Sequence, residues 1–269
     1  MSDPPTKPPT PPTNSAPPGA PSEAPAWSEQ NLSDPHATAD KAQRVQKMFS
    51  AIAKSYDLNN RLHSMWRDQA WRRKAVRLCD IQPTDVVLDV ACGTGDLSLA
   101  FADAKPARVL GVDFTHAMLQ VAGEKHRQAP PPVPVSFADG DAMRLPLADN
   151  SVDVVSIAFG IRNVADHAAA IQEFRRVLKP GGRLCILEFS LPSNPLLRGM
   201  YNFYFRHVMP RTATLISGDR SGAYRYLPQS VNTFINRDTL VASMQQAGFT
   251  AVAQHPMTFG IAVAYLGRA

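Results

Sequence analysis

The sequence predicts a parallel, doubly wound α/β sheet in a single domain, and three observations carry that expectation. From residue 86 onwards, short apolar runs alternate with helical segments, the pattern of strands buried on both faces. The turn Gly93-Thr94-Gly95 follows the first apolar run and opens a helix. A later helix over about 166–178 stops at Lys179-Pro180-Gly181-Gly182, and another apolar run follows at once.

Residues 1–38 stand apart from that domain. Eleven of the 24 prolines fall within 1–35, among Ser, Thr and Ala and with almost no large apolar side chains. Such a stretch buries too little surface to offset the entropy of ordering it, so 1–38 reads as a disordered, partly polyproline-II tail. It lacks the basic start and apolar centre of a signal peptide. Residues 39–269 then form the domain. Val45, Met48, Phe49 and Ile52 recur at helical spacing within 40–54, and 59–79 reads as a second helix rich in Arg and Trp; together they make an N-terminal helical lid. Strands are expected at Val86–Val90, Arg108–Asp113, Val133–Ala138, Val152–Phe159 and Arg183–Phe189, with helices over about 96–104, 115–127 and 166–178 between them. Residues 191–235 interrupt the alternation and read as an inserted helical or loop segment over the ligand edge of the sheet. A helix at about 237–247 and strands at about 250–256 and 260–267 complete the domain.

Composition narrows the function. No apolar run approaches the ~18–20 residues of a membrane span. Cys79, Cys92 and Cys185 are widely spaced in apolar segments, which suits core packing for Cys79 and Cys185 and suggests neither a disulfide framework nor a zinc site. The chain therefore reads as cytoplasmic. The net charge of +5 is mild and suits an anionic ligand, a membrane surface or nothing specific.

The glycine turn carries the chemistry. Gly93 and Gly95 put backbone N–H groups at a helix N-terminus with no Cβ in the way, at the carboxyl end of a strand where ligands of such sheets bind. Asp113 ends the second strand, 18 residues beyond Gly95, where a carboxylate can accept both ribose hydroxyls of a nucleoside. A dinucleotide fingerprint would need a third glycine at position 98, and Ser98 stands there. S-adenosylmethionine has no pyrophosphate and needs no third glycine. Asp89, inside the turn, is placed to orient loop N–H groups or the methionine ammonium. Asp139-Gly140-Asp141-Ala142 follows the third strand, where a carboxylate can accept from an adenine amino group. Each Asp alone is as readily a cap or turn residue. Three at the ends of three successive strands point to S-adenosylmethionine.

At this point the chain resembles the ubiquinone/menaquinone biosynthesis C-methyltransferase family over roughly 44–268. The matching segments are Met48-Phe49-Ser50-Ala51-Ile52-Ala53 with Tyr56-Asp57, Val87-Leu88-Asp89 through Gly95-Asp96-Leu97, and Phe159-Gly160-Ile161-Arg162-Asn163. They continue with Arg176-Val177-Leu178-Lys179-Pro180-Gly181-Gly182, Leu187-Glu188-Phe189-Ser190, and Tyr224-Arg225-Tyr226-Leu227 with Ser230. The resemblance implies a class I, Rossmann-like methyltransferase fold and cofactor contacts at Thr94, Asp113 and the Asp141-Ala142 pair. Two positions depart from the family: Ala158 stands where it has a serine that contacts the cofactor, and Trp66 where it tends to have glycine.

The reaction so implied moves a methyl group from a sulfonium to a ring carbon of a polyprenyl hydroquinone, with demethylmenaquinol favoured over a methoxybenzoquinol. A neutral ring carbon is a poor nucleophile; ionising the adjacent hydroxyl activates it, at a cost of about 4 kcal/mol at neutral pH. A base, or positive charge facing the oxyanion, lowers that cost. Arg162 lies just past the fourth strand; guanidinium is no ready base, so its expected role is to stabilise the phenolate or orient a water, with a surface ion pair as the competing role. Asn163 is expected to hold the second ring oxygen, Tyr56 to contact the substrate or close over it, and Asp141 to assist proton removal in place of its adenine role. His63, His116, His126, His167 and His207 lack metal spacing, and the chemistry needs no metal.

Two segments concern partners. Arg61, Arg67, Arg72, Arg73, Lys74 and Arg77 beside Trp66 and Trp71 suit an amphipathic helix at a membrane interface, or a solvated basic face. Residues 198–211 mix Met200, Tyr201, Phe203, Tyr204, Phe205 and Val208 with Arg198, Arg206 and Arg211; they line a channel for the isoprenoid tail or form a contact between two copies. A nucleic-acid methyltransferase would show Asn/Asp-Pro-Pro-aromatic where this chain has Ala158-Phe159-Gly160-Ile161. An O- or N-methyltransferase of another small molecule would share the glycine turn and the strand-end carboxylates. A non-catalytic cofactor-binding subunit would share them too, but would have no use for Arg162 and Asn163.

Overall fold

A computed structural model of the chain describes residues 25–27, 32–217 and 221–269. Seven strands form one sheet in the order β3-β2-β1-β4-β5-β7-β6. They are β1 (Val86–Val90), β2 (Arg108–Asp113), β3 (Val135–Asp139), β4 (Val152–Ala158), β5 (Leu178–Phe189), β6 (Thr250–Met257) and β7 (Ala262–Arg268). The first five run parallel; β7 pairs antiparallel with both β5 and β6. The sheet is thus doubly wound as expected, its five parallel strands joined by an antiparallel pair that makes it mixed. The last two strands follow each other through a tight Thr258–Gly260 turn, which permits only an antiparallel return.

Ten helices flank the sheet among the described residues: α1 (Lys41–Ile52), α2 (Tyr56–Ser64), α3 (Arg67–Leu78), α4 (Asp96–Asp103), α5 (His116–Gln128), α6 (His167–Val177), α7 (Pro195–Phe203), α8 (Met209–Ser217), α9 (Ala223–Thr233) and α10 (Arg237–Gln246). A π-helical turn, Tyr204–Val208, joins α7 to α8. One face of the sheet packs Ile171 and Phe174 of α6 with Leu240 and Met244 of α10. The other packs Trp71, Ala75 and Val76 of α3 with Leu97 and Phe101 of α4. Helix ends follow local chemistry: Asp166 accepts from the Ala168 and Ala169 N–H groups at the start of α6, and Asn194, followed by Pro195, does the same for α7.

Three expectations need correction. The basic helix over 59–79 is two helices, because Met65 and Trp66 both take the left-handed conformation, at φ +52° and +59°, and turn the chain between α2 and α3. The Lys179–Gly182 stop does end α6, yet those residues already belong to β5, whose register with β4 is irregular there. The tail boundary at 38 is too late. Residues 1–24 lie outside the described residues, but Ala26 and Trp27 are buried. The Trp27 ring stacks on Tyr226 at 4.5 Å. The Trp27 backbone N–H donates to the Ser221 carbonyl, and Arg44 donates to the Ala26 carbonyl.

Candidate active site

The carboxyl ends of β1, β2, β3 and β4 meet under α1 and α2. The turn after β1 takes left-handed conformations at Ala91, Gly93 and Gly95. A Cβ on Gly93 would meet nothing within 4 Å, whereas one on Gly95 would meet the Phe137 ring at 3.1 Å. Gly93 is thus open towards a ligand, and Gly95 admits the strand β3 side chain.

Asp113, at the end of β2, is buried. Its Oδ2 accepts from the Gly93 N–H and its Oδ1 from the Thr115 N–H, both at 2.7 Å. Burial pushes its carboxyl above the usual range, against the pull of these two bonds. The carboxylate therefore fixes the turn and keeps lone-pair capacity towards the adjoining cavity. Asp141 accepts from the Met143 N–H at 2.9 Å and lines the same cavity with Gly93, Asp113, Ala142, Ala158, Asn163 and Tyr56.

Asp89, Thr94 and Gly95 do not line this cavity. Asp89 lies beneath the turn and accepts from Ser98 Oγ at 2.6 Å and Ser156 Oγ at 3.0 Å. Burial raises its carboxyl to about 6. Its expected hold on the loop N–H groups belongs instead to Asp113, because β1 turns Asp89 inward to the two serines. Ser98, read as a missing glycine, is that carboxylate's hydrogen-bond donor. Thr94 donates to Asp57 Oδ1 at 2.5 Å, which ties α2 to the glycine turn. Lys125 extends the clasp: it bonds Asp57 Oδ2 at 2.8 Å and also pairs with Asp96, which Arg61 reaches at 3.2 Å.

A second, larger cavity of about 540 Å³ opens beside the first. Phe49, Tyr56 and Phe159 line both. Its walls come from α1 to α3, from Phe189, and from Leu197, Met200, Tyr201, Tyr204 and Phe205 of the inserted segment. From the stretch 198–211, Met200, Tyr201, Tyr204 and Phe205 thus face a cavity.

Arg162 faces this larger cavity and is buried. Its Nη1 donates to Glu188 Oε1 at 2.7 Å and to the Phe159 carbonyl at 2.6 Å, and its Nε donates to Ser230 Oγ at 3.3 Å. Burial pushes the Glu188 carboxyl up, and Arg162 pulls against that. The competing role of a surface ion pair at Arg162 is overturned: Glu188 reaches it from inside β5. Asn163 is committed at both ends, donating to the Phe159 carbonyl at 3.2 Å and accepting from the Tyr226 hydroxyl at 2.9 Å. Asp141 and Arg162 are not brought together; each lines a different cavity.

The basic face read over 59–79 is also corrected. Trp71 and Arg72 are buried, with the Trp71 indole donating to Thr258 Oγ1 at 2.8 Å, and Arg61 is held in the clasp. Arg67, Arg73, Lys74 and Arg77 remain exposed. Sequence reasoning missed Arg72, Asp57 and Phe159 as site residues. The signal for Arg72 was its spacing, since Asp68, Trp71, Arg72, Ala75 and Val76 form the buried stripe of α3.

A model of the ubiE/COQ5 methyltransferase family matches residues 37–268. The chain belongs to this family. It is 46% identical over 226 residues to the ubiquinone/menaquinone biosynthesis C-methyltransferase UbiE of Syntrophotalea carbinolica, covering 84% of this chain and 94% of the relative. With the demethylmenaquinone methyltransferase of Thermus thermophilus it shares 45% over 221 residues, 82% of this chain and 99% of that one. Among solved structures, a SAM-dependent methyltransferase of Thermotoga maritima superposes with a TM-score of 0.57 at 20% identity, over 82% of this chain and 98% of the other. That likeness shows the fold alone; the [4+2]-cyclase SpnF shares it at 0.58, over 79% of this chain and 75% of its own.

As a ubiE/COQ5 family member the chain is an S-adenosylmethionine-dependent methyltransferase, and the smaller cavity fits that cofactor. Asp113 offers a buried acceptor for ribose hydroxyls, Asp141 an acceptor at the β3 end, and Met118 and Ala142 apolar walls. The glycine turn at the α4 N-terminus offers open backbone.

Proposed function

We propose that the chain methylates a ring carbon of a polyprenyl hydroquinone, with demethylmenaquinol as substrate. The carrying observation is the junction: an apolar cavity of about 540 Å³ meets the cofactor cavity at Phe49, Tyr56 and Phe159. A fused aromatic ring with an isoprenoid tail suits such walls. The names of the Syntrophotalea and Thermus relatives support the same substrate class.

The bound cofactor supplies a methyl group on a sulfonium sulfur. The residues of the chain do the rest. Asp113, Asp141 and the glycine turn hold the cofactor. The aromatic wall of the larger cavity holds the ring and excludes water. With the proton of the ring hydroxyl given up to solvent, the adjacent ring carbon would take the methyl group that the cofactor would supply, and would then lose its own proton to solvent to restore the aromatic ring. Arg162 keeps its two Nη2 donors for a ring oxygen or a water, since its Nη1 and Nε donors are taken. Tyr56 stands at the junction, and Asn163 braces the Phe159–Asn163 turn.

We also infer that the mouth of the larger cavity faces a lipid bilayer. Met65, Met200 and Phe259 line the cavity and yet are 79%, 63% and 80% exposed, and Trp66, Arg67, Phe203 and Arg206, on the segments that carry Met65 and Met200, are exposed as well. An apolar rim with basic neighbours suits an anionic membrane surface.

The test uses purified protein, methyl-deuterated S-adenosylmethionine and quinols in micelles. Demethylmenaquinol gaining a deuterated methyl on its ring supports the proposal. Transfer only to a methoxybenzoquinol would reassign the substrate, and transfer to neither would defeat the quinol reading. Cells lacking the protein should accumulate demethylmenaquinone.

A further inference from the structure

We propose that Arg72 is a further catalytic residue, the cation that meets the ring oxyanion of the substrate; this inference rests on the quinol reading above. Arg72 lies on α3, is 6% exposed and lines the larger cavity. Its Nε and Nη1 are buried with no hydrogen-bond partner among the described residues. Its guanidinium carbon lies 5.2 Å from the centre of the Phe159 ring, and Phe159 lines both cavities. A buried guanidinium with idle donors is costly unless something completes it. The cavity it faces is lined mainly by apolar and aromatic side chains, and it holds further idle atoms at Asn59 Oδ1, His63 Nε2 and Tyr201 Oη, with Asp68 and Arg162 also on its wall.

The contrast with Arg162 assigns the roles. The charge of Arg162 is balanced by Glu188 at 2.7 Å, so its field on a ligand is largely cancelled. Arg72 makes no such ion pair among the described residues; its field reaches the Asp89 and Asp96 carboxyls only at longer range, and its Nε and Nη1 donors stay open to whatever enters. In a water-poor cavity, a preorganised cation favours the ionised ring hydroxyl over the neutral one. Electron density then reaches the ring carbon that takes the methyl group, and the hydroxyl proton leaves to solvent. The same idle donors also suit a second oxyanion, the carboxylate of the cofactor. Arg72 lines the larger cavity and not the smaller one, which favours the ring oxygen.

The experiment uses the full chain and two variants, Arg72→Gln and Arg72→Lys, with 1-naphthol as a probe that needs no methyl donor. Absorbance titration reads the ionisation midpoint of bound naphthol. In the wild type the midpoint should fall at least about one unit below its value in solution, and in Arg72→Gln it should return towards the solution value. Arg72→Lys, which keeps the charge without the planar fork, should lie between. Turnover of Arg72→Gln should drop roughly 100-fold or more, with its rising limb displaced to higher pH and S-adenosylmethionine affinity within about threefold of the wild type. An equal naphthol midpoint in all three folded proteins would overturn the proposal. So would a tenfold loss of S-adenosylmethionine affinity with naphthol ionisation unchanged, which would give the guanidinium to the cofactor carboxylate. A wild type that binds no naphthol would defeat the quinol reading itself, and this inference with it.

Discussion

Asp89 and Glu188 are buried carboxyls held in different ways, one by hydroxyls and one by a guanidinium. Asp89 is held at about 6 by burial, against two serine hydroxyls. Because its folded value lies above the unfolded one, the folded chain keeps a proton there between roughly pH 4 and 6. The stability from this group is present at low pH and is lost as pH rises through about 6. Asp89→Asn removes that dependence. The stability gap between variant and wild type should move by about 2 kcal/mol in favour of the variant from about pH 4.5 to about pH 7.5, read from urea unfolding; a gap constant with pH would refute the assignment. Glu188 behaves differently, because Arg162 neutralises it. Arg162→Ala leaves a buried carboxylate unpaired and should cost about 3–5 kcal/mol, so its lost turnover alone would say little about chemistry. Replacing both partners, Arg162→Met with Glu188→Met, should restore most of the stability while turnover stays low. Recovery of turnover in the double variant would remove Arg162 from the reaction. At this scale the residue types were legible and their partners were not. Asp113 and Asp141 were placed by strand ends alone, whereas the inward turn of Asp89 depends on Ser156, 67 positions away.

Elements were legible wherever period and capping agreed. β1 and β2 have the bounds that apolar runs and glycine punctuation set, since strands buried on both faces leave little freedom of register. The failures share a cause. The segment 59–79 has helix-forming residues throughout, and nothing local announces the left-handed pair Met65-Trp66. The resemblance to a family with glycine at position 66 was the one hint, and φ +59° at Trp66 is its physical reason. Trp66→Gly relieves left-handed strain but loosens the unfolded chain, and the two effects nearly cancel. The variant should keep its stability within about 1 kcal/mol of the wild type. Trp66 is 56% exposed at the cavity mouth, so the same variant should float less with anionic liposomes, and more so at high salt. Unchanged flotation at both salt concentrations would count against a bilayer-facing rim.

For the whole molecule, composition misjudged where the domain begins. Proline density made the stretch before residue 39 look unable to fold, yet one aromatic inside it, Trp27, is fully buried against Tyr226. Composition averages over such a residue; only the cleft on α9 reveals its use. Gly222, at φ +86°, admits the strap, because a Cβ there would lie 2.4 Å from the Trp27 carbonyl oxygen. Later in the N-terminal region, the His36 ring bonds the Ser230 carbonyl at 2.9 Å, beside the hydroxyl that Arg162 uses. The N-terminal strap therefore braces α9, and α9 braces the turn that carries Arg162 and Asn163. A chain beginning at residue 39 should unfold about 10 °C below one beginning at residue 25, given about 3–5 kcal/mol for a buried Trp and about 2–4 °C per kcal/mol at this size. Trp27→Ala in the full chain should reproduce most of that loss, and its turnover should fall further than its S-adenosylmethionine affinity, because the strap supports the larger cavity through Tyr226. Equal melting temperatures for the two shortened chains would show that the strap contributes nothing to the fold.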